Sequence, residues 1–381
     1  MDNPLNHGLN LNPLETNLPS VSKPGWPWDV PSITVPPLMP DGRPWPLVSI
    51  VTPSFNQAEF LEETIRSVLL QGYPNLEYII MDGGSTDGSV QIIQKYAPFL
   101  AYWISQKDDG QSAAINAGFK RGQGRYLAWL NSDDVFLPDA IQHVVEKLHL
   151  NPSAGMAFGQ AEVVNEQGQK IGVFEPVDYR FEDLLTMKII LPQQAAFFRK
   201  SVFESIGYLR TDLDYAMDVE LFIRIGAAYP ILPVRDTLAQ FRLSSSNKGV
   251  LAKGKWCPEF IKIIDDFFST PEQMQKYGHL RPAAYGGAYY RGAHIYLDID
   301  QYSLAHTWLN RAAKNRPRYY LKPGWWKSRL FALLGKPGKR VVQTLLLWLR
   351  NNRLHTNETN WQIGLANRQP PDQTSFQQKD N

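Results

Sequence analysis

Cysteine is nearly absent from this 381-residue chain: Cys257 stands alone. A single cysteine excludes an intramolecular disulfide framework, and no partner lies at zinc-ligand spacing, which fits a reducing compartment. Cys257 therefore reads as a half-buried small side chain. The segment Met1 to Ser20, rich in Asn, Leu and Pro, lacks the basic-then-apolar order of a secretory leader. That absence predicts a protein kept in the cytoplasm. No apolar run approaches the roughly 20 residues that span a bilayer; the longest, around Val341 to Leu349 and Arg329 to Leu334, are short and flanked by charge. Net charge is only +2, so the overall balance gives no reason to expect nucleic acid as a partner. Acids are missing from one long stretch. Gln301 to Asn357 holds 12 Lys or Arg and no Asp or Glu, so the remaining residues carry −10.

What is present changes character twice along the chain. Residues 1–45 form a Pro-rich arm (Pro24, Pro27, Pro31, Pro36, Pro37, Pro40 and Pro44), which denies it helix and ladder hydrogen bonds and favours an extended course. Trp26, Trp28 and Trp45 predict that part of the arm packs against the body. Over residues 46–250 short β-branched runs alternate with helical periodicity, the pattern of βαβ units in a largely parallel sheet. Strands are expected over Leu47 to Thr52, Glu77 to Met81, Ala101 to Ser105 and Tyr126 to Leu130. Helices follow them: one with Leu61, Ile65, Val68 and Leu69 on one face, then Val90 to Tyr96, Gln111 to Arg121 and Asp139 to Leu150. Residues 251–381 are basic and mostly helical, with a helix pair over Tyr285 to Leu297 and Ser303 to Ala313 and a disordered end expected beyond.

Open α/β sheets bind ligands beyond the carboxyl ends of their strands. Here those ends read Pro53-Ser-Phe-Asn56, Asp82-Gly-Gly-Ser-Thr-Asp-Gly88, Asp108-Asp-Gly-Gln111 and Asn131-Ser-Asp-Asp134. Four polar turns are thus aimed at one crevice. Clustered carboxylates such as Asp133-Asp134, set directly after an apolar strand, are costly unless a cation neutralises them. Oxygen ligands suit Mg²⁺ or Mn²⁺, which would bridge carboxylate and diphosphate.

Val51-Thr-Pro-Ser-Phe-Asn56, Met81-Asp-Gly-Gly-Ser-Thr-Asp-Gly88 and Leu130-Asn-Ser-Asp-Asp134, with Pro138 downstream, resemble the family 2 glycosyltransferases of the GT-A fold. The resemblance covers about Pro46 to Val250. It implies a Rossmann-like mixed α/β sheet with helices on both faces, and transfer of a sugar from a nucleotide-diphosphate sugar to a hydroxyl of a glycan or lipid-linked acceptor. By position it implies that Pro53, Phe55 and Asn56 pack around the donor base and that Asp82 bonds base or ribose. Asp109, Gly110 and Asn116 would line the diphosphate side. Ser132 and Asp133 would meet the donor, with Asp133 and Asp134 holding the metal, and Gln193 and Gln194 would line the sugar or acceptor side. Asp218, in Asp218-Val-Glu220, would be the base. A carboxylate opposite the diphosphate can take the acceptor's proton during in-line attack, which inverts the anomeric carbon. Three positions depart from the family: Asn131 for a frequent Asp, Ser244 for a frequent His, and Gly83 for a frequent acid.

Structural roles compete at several of these residues. Asp87 reads as a turn residue and Asp139 as a helix N-cap; Trp103 and Trp129, in strands, read as core. The basic stretch 301–357, interleaved with Trp325, Trp326, Leu330, Phe331 and Leu334, fits either a solvated surface packed on the body or a peripheral contact with an anionic membrane at the inner face of the plasma membrane. It has no nucleic-acid-binding module. A nucleotide-sugar or glycan-binding module without turnover is the competing function, motivated by Asn131 and Ser244. A dinucleotide oxidoreductase is disfavoured because no Gly-x-Gly-x-x-Gly follows the first strand.

Overall fold

The structure, a computed structural model, describes residues 18–21, 23–29, 35–174, 179–244, 247–248 and 254–336. The expected disordered end, the apolar run Val341 to Leu349 and the first part of the Pro-rich arm lie outside the described residues.

The first half follows the βα alternation read from the sequence: β1 (Val48–Ser54), α1 (Ala58–Leu69), β2 (Leu76–Asp82), α2 (Ser89–Tyr96), β3 (Tyr102–Ser105), α3 (Gln111–Arg121) and β4 (Tyr126–Trp129). β1 is buried throughout, as a parallel strand covered on both faces must be. Its side chains alternate between two cores. Ile50 joins Ile80, Ala128 and the α1 residues Leu61, Ile65 and Val68, whereas Val51 joins Ile79, Trp129 and the α3 residues Ile115 and Phe119. Gly118 lets α3 lie directly on β1, since a Cβ there would sit 2.5 Å from Val51 Cγ1. Trp103 and Trp129 are both core residues.

Next come β5 (Val135–Phe136), α4 (Ala140–His149), β6 (Met156–Val164), β7 (Lys170–Phe174), α5 (Phe181–Leu185), β8 (Ala196–Arg199), α6 (Lys200–Ile206), α7 (Met217–Ala228) and β9 (Ile231–Arg242). The strand order is β3-β2-β1-β4-β8-β6-β9-β5, with β7 on β6. Parallel pairing holds among β1 to β4 and between β6 and β9; β8 runs antiparallel to both β4 and β6, and β5 antiparallel to β9. The sheet is therefore mixed, not largely parallel as the alternation alone predicts. The tight turn after β6 forces its pairing with β7 to be antiparallel. Asp139 occupies the N-cap position of α4 but makes no capping bond. Its backbone is left-handed, φ 63°, not the extended conformation in which a cap side chain folds back over the first turn.

The C-terminal region packs α8 (Trp256–Phe267), α9 (Pro271–Tyr277), α10 (Arg281–Asp298) and α11 (Tyr302–Asn315), with a further helical segment over 323–336. Phe260, Ile263 and Ile264 of α8 and Ala284 and Ala288 of α10 belong to the same core as Val51 and the α7 side chains. A Cβ on Gly287 would lie 1.7 Å from the Thr186 carbonyl oxygen, so α10 rests on the loop after α5 at backbone contact. Cys257 is fully buried, more so than expected, and burial pushes its thiol up to about 12. The Pro-rich arm is held to the body by Arg66 of α1, which donates to the carbonyls of Pro19, Pro27 and Trp28, and by Trp26, which donates to the Phe136 carbonyl.

Candidate active site

Strand order reverses between β1 and β4, and the four polar turns meet at the carboxyl ends of these strands. Hydrogen bonds tie the turns to one another. The Asn56 N–H donates to Ser85 Oγ at 2.8 Å, and Asn56 Oδ1 accepts from the Thr86 N–H at 2.9 Å. Asp87 accepts from the Ala58 and Ser89 N–H groups, so it fastens the starts of α1 and α2, in keeping with its reading as a turn residue. Pro53 and Ser54 end β1 still buried, and Phe55 beyond them stands 60% exposed. Its ring is thus open to solvent at the topological switch point.

Asp82 ends β2. It is buried and accepts from the Gly84 N–H (3.1 Å), the Ser85 N–H (2.9 Å), Ser85 Oγ (2.5 Å) and Ser105 Oγ (2.6 Å). Four protein donors occupy the carboxylate, so it shapes the turn that a ligand would meet. Gly83 sits close to two side chains: a Cβ there would lie 3.0 Å from Asp108 Oδ2 and 3.3 Å from the Phe55 ring, so an acid would need both to give way and would set a second carboxylate beside Asp108. Asp109 and Gly110 are exposed at the entrance to α3, Gly110 with φ 97°. Asn116 has its amide bonded within the protein. Its amide donates to the Leu209 carbonyl (2.8 Å) and accepts from the Leu209 N–H (3.0 Å), because the side chain is buried between α3 and the segment after α6.

After β4 the turn buries Ser132, Asp133 and Asp134. Asp134 is fully enclosed. Its Oδ1 accepts from the Arg242 N–H (3.0 Å), its Oδ2 from Asn131 Nδ2 (3.1 Å), and Gln194 bonds it as well. Burial, with the charge of Asp133 beside it, pushes its carboxyl well above the usual range. Asp133 is raised to about 6 by burial, opposed by its own backbone N–H, by the Arg242 charge and by Asn247, whose Nδ2 lies 3.3 Å from Oδ2. Asn131 is informative as a departure. Its amide gives Asp134 a hydrogen bond that an aspartate could not, while its carbonyl accepts from Gln111 Nε2 at 2.9 Å. Gln193 accepts from Asn131 at 3.2 Å and donates to the Trp129 carbonyl at 2.7 Å, so both glutamines brace the acidic turn from the foot of β8. Ser244 is buried.

On the other side, Asp218 and Glu220 open α7. Glu220 is committed to Arg224, at 2.7 and 2.9 Å, and that guanidinium also donates to the carbonyls of Ile206, Gly207 and Tyr208. Asp218 is outside this network and accepts from the Val219 N–H at 2.8 Å. Burial pushes its carboxyl up to about 6, and the nearby Glu259 charge adds to the shift. Residues 247–248 join the two sides: Asn247 reaches Asp133, and the Lys248 ammonium lies 5.4 Å from the centre of the Tyr215 ring, three residues before Asp218.

Two functional residues were not assigned from sequence. Arg242, at the end of β9, is buried; its guanidinium donates to the carbonyls of Asp133 (3.0 Å), Asn165 (3.3 Å) and Glu166 (3.2 Å) and pairs with Glu63 at 2.9 Å. A cation closing an apolar strand was the only local signal. Glu259 of α8 accepts three N–H groups, those of Asp214, Tyr215 and Ala216, at 2.8 to 2.9 Å, and so holds the turn from which α7 springs. Nothing local announces it.

Fold and site together define a GT-A glycosyltransferase. Residues 49–207 match glycosyl transferase family 2. An uncharacterized glycosyltransferase of Mycobacterium tuberculosis is 33% identical over 196 residues, half of this chain and 73% of its own length. A provisionally named teichuronic acid biosynthesis glycosyltransferase, TuaG, of Bacillus subtilis is 31% identical over 217 residues, 54% of this chain and 84% of its own. Among solved structures, S. aureus TarS 1–349 in complex with UDP-GlcNAc aligns with TM-score 0.51 and 12% identity over 75% of this chain and 91% of that one. The mannosyltransferase PcManGT of Pyrobaculum calidifontis, in complex with GDP-Man and Mn²⁺, aligns with TM-score 0.51 and 18% identity over 76% and 84%. At such identities the structures speak for the fold, and the sequence relatives speak for the family. The chain belongs to glycosyl transferase family 2 and is a glycosyltransferase.

Proposed function

We propose that the protein transfers a sugar from a nucleotide-diphosphate donor to a hydroxyl of a cell-surface polysaccharide or lipid-linked glycan, with inversion and with a divalent cation at Asp133. The observation that carries this reading is the buried Asp133-Asp134 pair at the end of β4, joined through Asn247 and Lys248 to the turn before Asp218 at the start of α7. The relatives' names support it: one belongs to teichuronic acid biosynthesis, and two structural neighbours hold nucleotide sugars, one of them with Mn²⁺.

Asp133 offers a carboxylate oxygen of the kind that a hard divalent cation takes. Among the described residues no group of three or more His, Cys, Asp and Glu could hold a metal by itself, so phosphate oxygens and water would complete the shell. Asp133 supplies the carboxylate. Asp134, with both oxygens bonded inside the protein, positions it. When bound, the cation neutralises charge that gathers on the departing diphosphate. Phe55 and Pro53 form the base platform, the Asp82 turn and Asn56 set its height, and Asp109 and Gly110 border the phosphates at the start of α3. Ser132 lines the floor, with Gln193 and Gln194 beneath it. Asp218 removes the acceptor proton as the acceptor oxygen attacks the anomeric carbon and the bond to the diphosphate breaks; Glu220, held by Arg224, is not available for this. We take 46–250 as the catalytic unit, 1–45 as an arm clasped to it and 251–381 as a helical extension. The extension places the enzyme peripherally at the inner face of an anionic plasma membrane, in the cytoplasm.

Calorimetric titration of UDP, GDP and dTDP, with Mn²⁺ or with chelator, on the wild type and on Asp133→Ala tests the reading. Mn²⁺-dependent binding of one nucleotide, lost in the variant, is expected; absence of binding under every condition refutes it. The neutral Asn131 beside the metal position favours one other reading, a donor-binding module without turnover. Donor hydrolysis that Asp218→Asn abolishes would reject that reading.

A further inference from the structure

Half of the large hydrophobic side chains that are exposed among the described residues fall within one short stretch: Tyr320, Leu321, Trp326, Leu330, Leu333 and Leu334. Four of these lie on the helical segment 323–336. That segment has two apolar stripes. Trp325, Phe331 and Ala332, with Ser328, are buried against α10 and α11, and Trp325 Nε1 donates to the Leu309 carbonyl at 3.2 Å. Trp326, Leu330, Leu333 and Leu334 recur at i, i+4, i+7 and i+8 and face solvent. At 100° per residue they fill an arc of about 100°. Lys327 lies just beyond one edge of that arc, and Arg329 and Lys336 lie beyond the other.

Among the described residues, packing of the fold uses up the first stripe and leaves the second without a partner. Soluble surfaces rarely keep a contiguous apolar strip of this kind unless something covers it. Its setting selects the cover: from Gln301 to Asn357 there are 12 cations and no acid. A leucine and tryptophan strip bordered on both sides by Lys and Arg is complementary to an anionic lipid surface, with the side chains among the headgroups and the cations at the phosphates. It is not complementary to a second copy of the same cationic face. Among the described residues no helix is long and apolar enough to cross a membrane, so the segment lies in the interface plane.

We propose that the face Trp326, Leu330, Leu333 and Leu334, with Lys327 and Arg329 at its borders, is the surface by which this protein docks on an anionic phospholipid bilayer. The inference rests on the peripheral placement given above and names the residues that achieve it. Docking there orients the active site. The buried stripe is fixed to α10 and α11, and α10 sits on Thr186 with no space for a single Cβ, on the loop that leads to Gln193 and Gln194. A bilayer that holds this helix therefore holds the catalytic sheet at a set angle.

Flotation of the full chain tests the proposal, using vesicles of phosphatidylcholine alone and of phosphatidylcholine mixed with phosphatidylglycerol, at low and high salt. The wild type should float with the mixed vesicles, much less with phosphatidylcholine, and less again in high salt. The double variant Leu330→Glu/Leu333→Glu should stay behind while keeping its circular dichroism spectrum and nucleotide affinity. If the wild type fails to float with anionic vesicles, both the peripheral placement and this face are wrong. If the double variant floats like the wild type, the placement stands and the face is wrong. A dimer by sedimentation that the double variant dissolves, with no vesicle binding by either, assigns the strip to a second copy and overturns the proposal.

Discussion

Arg242→Ala should separate the support of the metal position from the position itself. The guanidinium is 2% exposed and makes four hydrogen bonds, to the carbonyls of Asp133, Asn165 and Glu166 and to the Glu63 carboxylate. Its removal leaves Glu63 without its cation and takes one donor from each of three carbonyls, of which that of Asn165 keeps the Gly168 N–H at 3.0 Å. Breaking a buried ion pair from one side costs about 3–5 kcal/mol. Glu63 keeps some contact with water, its side chain being 22% exposed, so the lower end, about 3 kcal/mol, is expected, a large share of the roughly 5–15 kcal/mol that holds a domain folded. Because the Asp133 carbonyl loses its anchor, Mn²⁺-supported nucleotide binding should weaken by about 10-fold or more, the usual consequence of losing the support behind a ligand. Arg242→Lys should restore the Glu63 pair but not the fork to three carbonyls, and so recover part of the stability and little of the binding. Urea denaturation and calorimetry on the three proteins decide the matter. A stability loss below about 1 kcal/mol in Arg242→Ala with unchanged nucleotide affinity would show that the acidic turn does not depend on β9.

Three further outcomes are expected. Transfer should rise with pH through about 6 as Asp218 loses its proton, and Asp218→Asn should abolish turnover while leaving nucleotide binding intact; a flat rate profile between pH 5 and 8 would remove Asp218 as the base. The same shift has a stability sign: the folded carboxyl is raised from 3.8 to about 6, so this group favours the folded state when protonated and that contribution is lost as pH climbs between the two values, a slope that Asp218→Asn should flatten in denaturation curves. Glu259→Ala strips the acceptor from three N–H groups before α7 and should cost about 1–2 kcal/mol as a lost helix-start cap, with turnover falling more than donor affinity; equal losses in both would make Glu259 merely structural. Gly287→Ala, forced against the Thr186 carbonyl, should destabilise by about 1–3 kcal/mol or more through overpacking, and a thermal midpoint unchanged from wild type would show that α10 does not rest on that loop.

The strand ends could be read from sequence because parallel strands covered on both faces appear as apolar runs, and a run such as Val48–Val51 stops where polar turn chemistry begins. Position along the chain thus put Asp82 and Asp133 at strand ends, whereas Asp218 followed only from the resemblance to the family. It did not say how each side chain would be used. Asp82 and Asn116 lie at matching positions, but tertiary structure surrounds them with Ser85, Ser105 and Leu209, and those partners take the hydrogen bonds a ligand would otherwise receive. Asp134 and Asp133 are neighbours in sequence, and only the approach of β9 distinguishes the enclosed one from the other. Arg242 and Glu63 stand 179 positions apart, a pairing that no local period encodes. The mixed second half of the sheet is a similar case, since alternation gives the kinds of element but not which edge each strand joins.

The family match ends at residue 207, short of Asp218 and of everything that holds it. Glu259 belongs to α8, and it closes the turn that positions α7; Phe260, Ile263 and Ile264 on the same helix are part of the core under that turn. The helical extension is therefore not an appendage carried behind a complete enzyme. One side of α8 holds the turn before Asp218, the proposed base, and α10 presses on the loop that runs to Gln193 and Gln194, which brace the acidic turn. Since the exposed stripe of 323–336 is fixed to this same bundle, the surface proposed to meet the bilayer and the residues proposed to flank the acceptor are joined through packed helices. An acceptor hydroxyl carried on a lipid would then reach Asp218 at a height and angle set by the packing of α8, α10 and α11.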